Sequence, residues 1–458
     1  MEQTDCNDVQ LSFQASGRRE IVARFDGGQI SSDGGGLLLR EVERQTGILS
    51  QFAACFRDYR NPLFVEHSLD TLIGQRVMGL ALGYEDLNDH DQLRHDPLIA
   101  MLLDKSDPTR ALAGKSTLNR LELTPEGNGE GRYKKIVYDG AAIDRFLVSA
   151  FVQAYPTPPK RIILDLDTTD DEIHGGQEGR FFHGYYGSYC YLPLYIFCGE
   201  LLLCARLRES NVGPSEGTVE ELERIVGQIR QSWPEVEITI RADSGFSRDD
   251  IMSWCEQHQV DYVLGMARNS RLEKMIEDEM AQAREEAVST GQPSRSYKEL
   301  EYRTLESWSR SRRVVGKAEH LVGKPNARFV VTSLGIEEFP AQSLYEDVYC
   351  SRGEMENRIK EQKTFLFSGR TSAATMRANQ LRLWFSSVAY MMMSALRRLG
   401  LKDTDLATAQ SDTIRLKLFK IGARVRVTAR KIWISLSSSY PLATLFARVC
   451  NNLAHASP

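Results

Sequence analysis

Two short β-branched runs, each closing on an aspartate, constrain the fold of this 458-residue chain more than any other feature. In Arg161-Ile162-Ile163-Leu164-Asp165-Leu166-Asp167-Thr168-Thr169 an apolar strand delivers Asp167 at its end, with Asp165 on the same side because strand side chains alternate with period two. The run Glu237-Ile238-Thr239-Ile240-Arg241-Ala242-Asp243-Ser244-Gly245-Phe246 repeats the design: a short strand, an acid near its end, and a glycine that lets the chain turn. Strands this apolar are buried, and a buried strand rarely carries a carboxylate without a reason. Further strands are expected over residues 189–197, 201–207 and 262–266, with helices over 216–232 and 248–258. Three strands, a helix, a strand, a helix and another strand predict an α/β fold, a mixed sheet flanked by helices.

A third acid lies far downstream. Tyr349, Arg352, Glu356 and Lys363 are separated by offsets that return to one side of an α-helix, within an arc of about 60° at roughly 3.6 residues per turn. That face carries a phenol, a guanidinium, a carboxylate and an ammonium, while Met355, Ile359 and Leu366 form an apolar stripe beside it. A solvated helix laced with ion pairs would give the same spacing. The two strand-end acids upstream favour a set that converges. Three carboxylates without a comparable His or Cys cluster suit a hard cation, Mg²⁺ or Mn²⁺, better than zinc. Pairs of such ions about 4 Å apart serve in-line displacement at phosphorus, so phosphodiester chemistry is the first hypothesis. Arg352 and Lys363 would then grip an anionic backbone.

With these residues the chain resembles the DDE transposases of bacterial insertion sequences, in the branch marked by a Tyr-2-Arg-3-Glu-6-Lys signature, which Tyr349, Arg352, Glu356 and Lys363 match completely. Asp167 before Thr168-Thr169 and Asp243 before Ser244-Gly245-Phe246 fit the family's first and second acids; Glu354 misses the spacing that Glu356 meets. Asp33-Gly34-Gly35-Gly36 and the run from Asp167 to Gly175 resemble one subgroup and extend the likeness to nearly the whole chain. The resemblance implies a ribonuclease H-like catalytic core, interrupted by an inserted, mainly β subdomain. It implies Asp167, Asp243 and Glu356 as catalytic residues and ligands of two divalent cations, Mg²⁺ (or Mn²⁺), and Tyr349, Arg352 and Lys363 as DNA contacts. Double-stranded DNA would be the partner, at element ends and target, with a homodimer in the DNA-bound state. Two rival readings share these residues: a two-metal nuclease without strand transfer, and an inactive relative that only binds DNA.

The expected domains are a polar, mobile lead over residues 1–20, a helical N-terminal region over 21–150, catalytic core over 155–266, the β insertion over 267–345, core again with the catalytic helix over 346–400, and a basic C-terminal region over 401–458. Within the N-terminal region a helix over 72–82 should end at Gly83, with Asp89 and Asp91 capping the next, and 122–134 reads as a linker. A net charge of -5 argues weakly against a nucleic-acid partner, but it hides asymmetry: residues 370–431 carry thirteen Lys and Arg residues against Asp403, Asp405 and Asp412. Interleaved with Trp384, Phe385, Tyr390 and Met391–Met393, this stretch reads as helices packed on one side and gripping a backbone with the other. Trp308 beside Arg310, Arg312 and Arg313 is weighed as a base-stacking residue, with core packing the commoner fate. Eight cysteines without a Cys-x-x-Cys pair point to reduced thiols. With a polar N-terminus and no apolar run of spanning length, the expectation is a cytoplasmic protein without membrane association.

Overall fold

The computed structural model describes residues 10–104, 107, 110–127, 132–321 and 323–456. These form two compact units, one made of Ser50–Arg60 with Glu122–Ser394, the other of the described residues up to Leu49 with Asn61–Leu121 and those from Ala395 onward.

One mixed sheet organises the larger unit. Its main path runs Leu201–Arg206, Leu194–Cys198, Arg161–Thr168, Glu237–Ala242, Asp261–Met266, Arg328–Thr332, Arg312–Leu321 and Ser294–Tyr302. The strands leading to Asp167 and Asp243 are parallel neighbours, with Ile162 beside Ile238 and Leu166 beside Ala242. The strand Asp261–Met266 continues parallel, and the remaining pairings on the path are antiparallel. Parallel neighbours need a crossover, and the helix Thr218–Ser232 lies in the one between them. Its Leu222, Ile225, Val226 and Ile229 recur at helical spacing and share one core with Ile162, Leu164, Ile238 and Ile240. The expected strand over 189–197 is broken. Pro193 has no N–H to give a ladder, so Ser188–Tyr191 stops short of Leu194–Cys198 and pairs instead with Asp171–Glu172 and Phe181–His183.

The insertion expected over 267–345 does not build a sheet of its own. It supplies the helix Glu277–Thr290 and the last three strands of the main sheet, because the edge of Asp261–Met266 is completed by the apolar run Phe329-Val330-Val331. Trp308 is only 4% exposed, edge-on to Tyr302 and covered by the Arg312 guanidinium, so it is a core residue rather than a stacking platform.

In the smaller unit the helix Leu69–Leu82 starts under the Ser68 hydroxyl, which accepts the Thr71 N–H, and stops at Gly83 with φ of 96°, a left-handed turn that glycine adopts freely. Asp86, not Asp89 or Asp91, caps the next turn, with Asp89 closing a capping box. The expected polar lead is partly ordered: Leu11–Ser16 and Arg19–Ala23 form an exposed antiparallel hairpin, and residues 1–9 lie outside the described residues. The terminal regions are not purely helical either, since Ala423–Val427 pairs with both Ile432–Leu436 and Ile30–Ser31. Asp33-Gly34-Gly35-Gly36 fastens the early and late segments together. Asp33 is fully buried and accepts from the Tyr84 hydroxyl and the Lys420 ammonium, each at 2.6 Å, while a Cβ on Gly35 would overlap the Leu418 carbonyl. Of the linker expected over 122–134, residues 128–131 lie outside the described residues, and Glu122 is buried against Arg382 at 2.7 Å.

Candidate active site

Strand register brings the first two acids together. One step past the Leu166–Ala242 pair, Asp167 and Asp243 stand side by side at the same sheet edge, on strands spaced about 4.8 Å apart. The Thr168 N–H donates to Asp167 at 2.8 Å; Asp243 caps the turn Ser244–Phe246 by accepting the Gly245 N–H at 2.8 Å. Asp165 has a different fate. It is buried and held by two Arg241 N–H groups, at 2.6 and 2.8 Å, and Arg241 also reaches the Val348 carbonyl, tying both strands to the segment that carries Tyr349.

The third acid arrives on an irregular helix. Leu344–Tyr349 is overwide, with i to i+5 hydrogen bonding, Cys350–Arg352 is tight, and regular α-helix runs only over Gly353–Phe365. The ideal 60° arc therefore fails at Tyr349. Met355, Ile359 and Leu366 bury the neighbouring stripe as expected, and Arg352 and Lys363 still reach the strand end that carries Asp167. Tyr349 stacks beside Tyr345 in the cluster of Val263, Val315 and Val330, with its hydroxyl against Gly265 so closely that a Cβ there would overlap it. Arg352 donates to Asp167 at 3.2 Å and to Glu356 at 2.7 Å. Lys363 reaches past the acids to Thr169 at 3.1 Å and to Asp170, through both its carboxylate and its carbonyl.

Burial pushes the Asp167 carboxyl up to about 6, with the Asp243 and Glu356 charges pushing the same way against the opposing pull of Arg352 and the Thr168 N–H. The same acids hold the Arg352 proton more firmly despite burial. Glu356 remains exposed, and a cleft of about 350 Å³ opens between the helix and the strand end, lined by Asp167, Thr168, Thr169, Glu356, Lys360 and Lys363 among others. Among the described residues no three Asp, Glu, His or Cys side chains close on one ion position. The Arg352 guanidinium instead bridges Asp167 and Glu356.

Three features escaped the sequence reading: the Arg241 clamp on Asp165, the close approach of Gly265 to Tyr349, and the acid cradle of Lys363. Beneath that cradle Asp171 is fully buried, its oxygens without a hydrogen-bond donor and the Lys363 ammonium 3.9 Å away; burial lifts its carboxyl to about 8 against that charge. Asp170 and Asp171 were visible as a charged run, but nothing in their spacing named Lys363 as the group they face.

The profile of the family described as transposase DDE domain, group 1, matches residues 13–458. The chain belongs to this family of DDE transposases, a class of enzymes that act on DNA in transposition. Among curated proteins none matches it significantly. Among the described residues no helix is long and apolar enough to cross a membrane.

Proposed function

We propose that this transposase cuts and rejoins DNA strands at the ends of an insertion sequence, with Asp167, Asp243 and Glu356 holding two Mg²⁺ (or Mn²⁺) ions. The observation that carries this reading is the shared guanidinium: Arg352 bonds to both Asp167 and Glu356, residues separated by nearly two hundred positions, beside the parallel partner of Asp167 that carries Asp243. The donor set fits hard cations, since it offers carboxylate oxygens alone. Asp167 is the acid with most to gain from added positive charge, being buried beside two like charges. When bound, the ions would activate the attacking oxygen and stabilise the leaving one.

The chain's own residues do the rest. The two parallel strands fix Asp167 and Asp243 rigidly, and the helix anchored through Met355 and Ile359 sets Glu356 across the cleft. Arg352, once released from the carboxylates, has the reach to contact a phosphate beside them; Tyr349 braces the helix against Gly265, and Lys363 lines the cleft where the strand backbone would pass. Attack by water would free a 3′-hydroxyl, which then attacks a second phosphodiester in target DNA. Two adjacent parallel strands with antiparallel neighbours support a ribonuclease H-like core, and a reaction at two element ends calls for a DNA-bound homodimer.

The test is Glu356→Gln on DNA carrying an element end, with Mg²⁺ and a target plasmid. Binding should persist while nicking and joined product both fall by on the order of a thousandfold or more. Nicking at the wild-type rate would remove Glu356 from the chemistry. Wild-type nicking without joined product would replace transposition by simple hydrolysis.

A further inference from the structure

Four of the cations between residues 370 and 431 serve the fold itself. Arg377 covers the Tyr138 ring and bonds backbone carbonyls, Arg382 pairs with Glu122, Arg415 caps the carbonyls of Leu80 and Ala81, and Lys420 pairs with Asp33. These are structural and leave no charge for a partner. Arg424, Arg426, Arg430 and Lys431 are different: all four are exposed, and among the described residues no ion pair engages any of them.

Strand pairing explains their arrangement. In the antiparallel ribbon Ala423–Val427 with Ile432–Leu436, Arg424 lies opposite Ser435 and Arg426 opposite Trp433, so these four share one face. Lys431, two residues from Trp433, falls on the same side. The other face carries Ala423, Val425 and Ile434, packed on Leu98 and Met101. Trp433 is 48% exposed between the Arg426 guanidinium and the Lys431 ammonium, 5.8 and 5.4 Å from its ring centre. An exposed tryptophan among unpaired cations is a poor choice for bare solvent. From Thr413 to the C-terminus there are eight Lys and Arg residues and no Asp or Glu, in a chain whose net charge is -5.

We propose that the outer face of this ribbon, Arg424, Arg426, Lys431 and Trp433, with the exposed Arg430 in the turn that joins its strands, binds the backbone of duplex DNA. Four unpaired cations on a two-stranded ribbon complement a polyanion, and a ribbon of this width is a shape that duplex DNA accepts. The indole packs against sugar or base edge while its flanking cations meet phosphates on either side. This assignment rests on membership of a family whose partner is DNA, and it is independent of the three acids.

The full-length protein in EDTA, where no strand is cut, is titrated with a fluorescein-labelled mixed-sequence duplex across a salt series. Arg424→Ser with Arg426→Ser should weaken binding about tenfold and reduce the slope of log affinity against log salt by about two. A second readout needs no affinity change: the other four tryptophans, Trp233, Trp254, Trp308 and Trp384, are at most 8% exposed, so iodide should quench chiefly Trp433. Duplex DNA should protect that emission, and Trp433→Phe should abolish the quenchable fraction. Unchanged slope in the double variant together with iodide quenching indifferent to DNA would overturn the proposal. So would a loss of self-association in place of DNA affinity, which would mark the face as an interface between copies of the chain. Nicking by metal-loaded protein reads the acid centre separately, so failure of either assignment is recognisable.

Discussion

Arg352 is bonded at once to Asp167 and Glu356, two of the three acids proposed to hold the divalent cations. A single guanidinium balancing buried and exposed acids competes directly with any other cation. Arg352→Gln is therefore expected to bind Mn²⁺ about tenfold more tightly in the absence of DNA, measured by calorimetry, while nicking of terminal DNA falls. Equal Mn²⁺ affinity in the two proteins would show that the guanidinium does not compete. Asp171 gives the residue-scale pH dependence. Its folded carboxyl, lifted by burial to about 8, lies above the ordinary value of 3.8, so the folded state favours the protonated form. The stabilisation is complete below about pH 4 and is lost as pH rises through about 8. Asp171→Asn should melt higher than wild type at pH 9, by at least about 2 kcal/mol, with the advantage fading toward pH 4. A constant difference across that range would contradict the assignment. Of the two acids on one strand, the sequence placed Asp165 and Asp167 on the same side but gave no sign of the Arg241 clamp that holds Asp165, because a bidentate contact across neighbouring strands leaves no local spacing.

At the level of elements, the strands leading to Asp167 and Asp243 were readable because β-branched runs ending in Asp leave few alternatives, and the helix Leu69–Leu82 because Ser68 and Gly83 mark its ends. The irregular turns from Leu344 to Arg352 were not, since an ideal 3.6-residue period was the only ruler the sequence offered. Nor was the fate of 267–345, whose strands depend on which distant edge they complete. Gly265 tests the packing of the irregular segment. Gly265→Ala should cost about 1–3 kcal/mol and displace Tyr349, reducing nicking more than DNA binding. Equal loss of both would indicate general unfolding instead. The Asp33 clasp gives a second element-scale test. Lys420→Met leaves a fully buried carboxylate without its cation and should cost about 3–5 kcal/mol in chemical denaturation, with Asp33→Asn added to it restoring part of the loss. If the double variant is as unstable as the sum of the singles, the two residues are not acting as a pair.

Across the whole molecule, the family could be read from motifs, whereas the distribution of charge could not. Composition alone gave a mildly acidic chain, and the basic stretch looked like one gripping surface. In the folded chain Arg377, Arg382, Arg415 and Lys420 bond to carbonyls, rings or buried acids, while Arg424, Arg426 and Lys431 stand exposed on a ribbon near the C-terminus. Which arginines are spent on structure is decided by long-range packing, which no local pattern records. The proposed divalent-cation centre is likewise long-range, joining acids from two strands and a distant helix. Fe²⁺ bound in place of Mg²⁺, with ascorbate and peroxide, cuts the polypeptide wherever backbone lies next to the ion. The expected result is cleavage clustered near residues 167, 243 and 356, suppressed by excess Mg²⁺ and lost in Asp167→Asn. Cleavage of the folded wild-type protein at only one of these places, or at none, would contradict a shared centre.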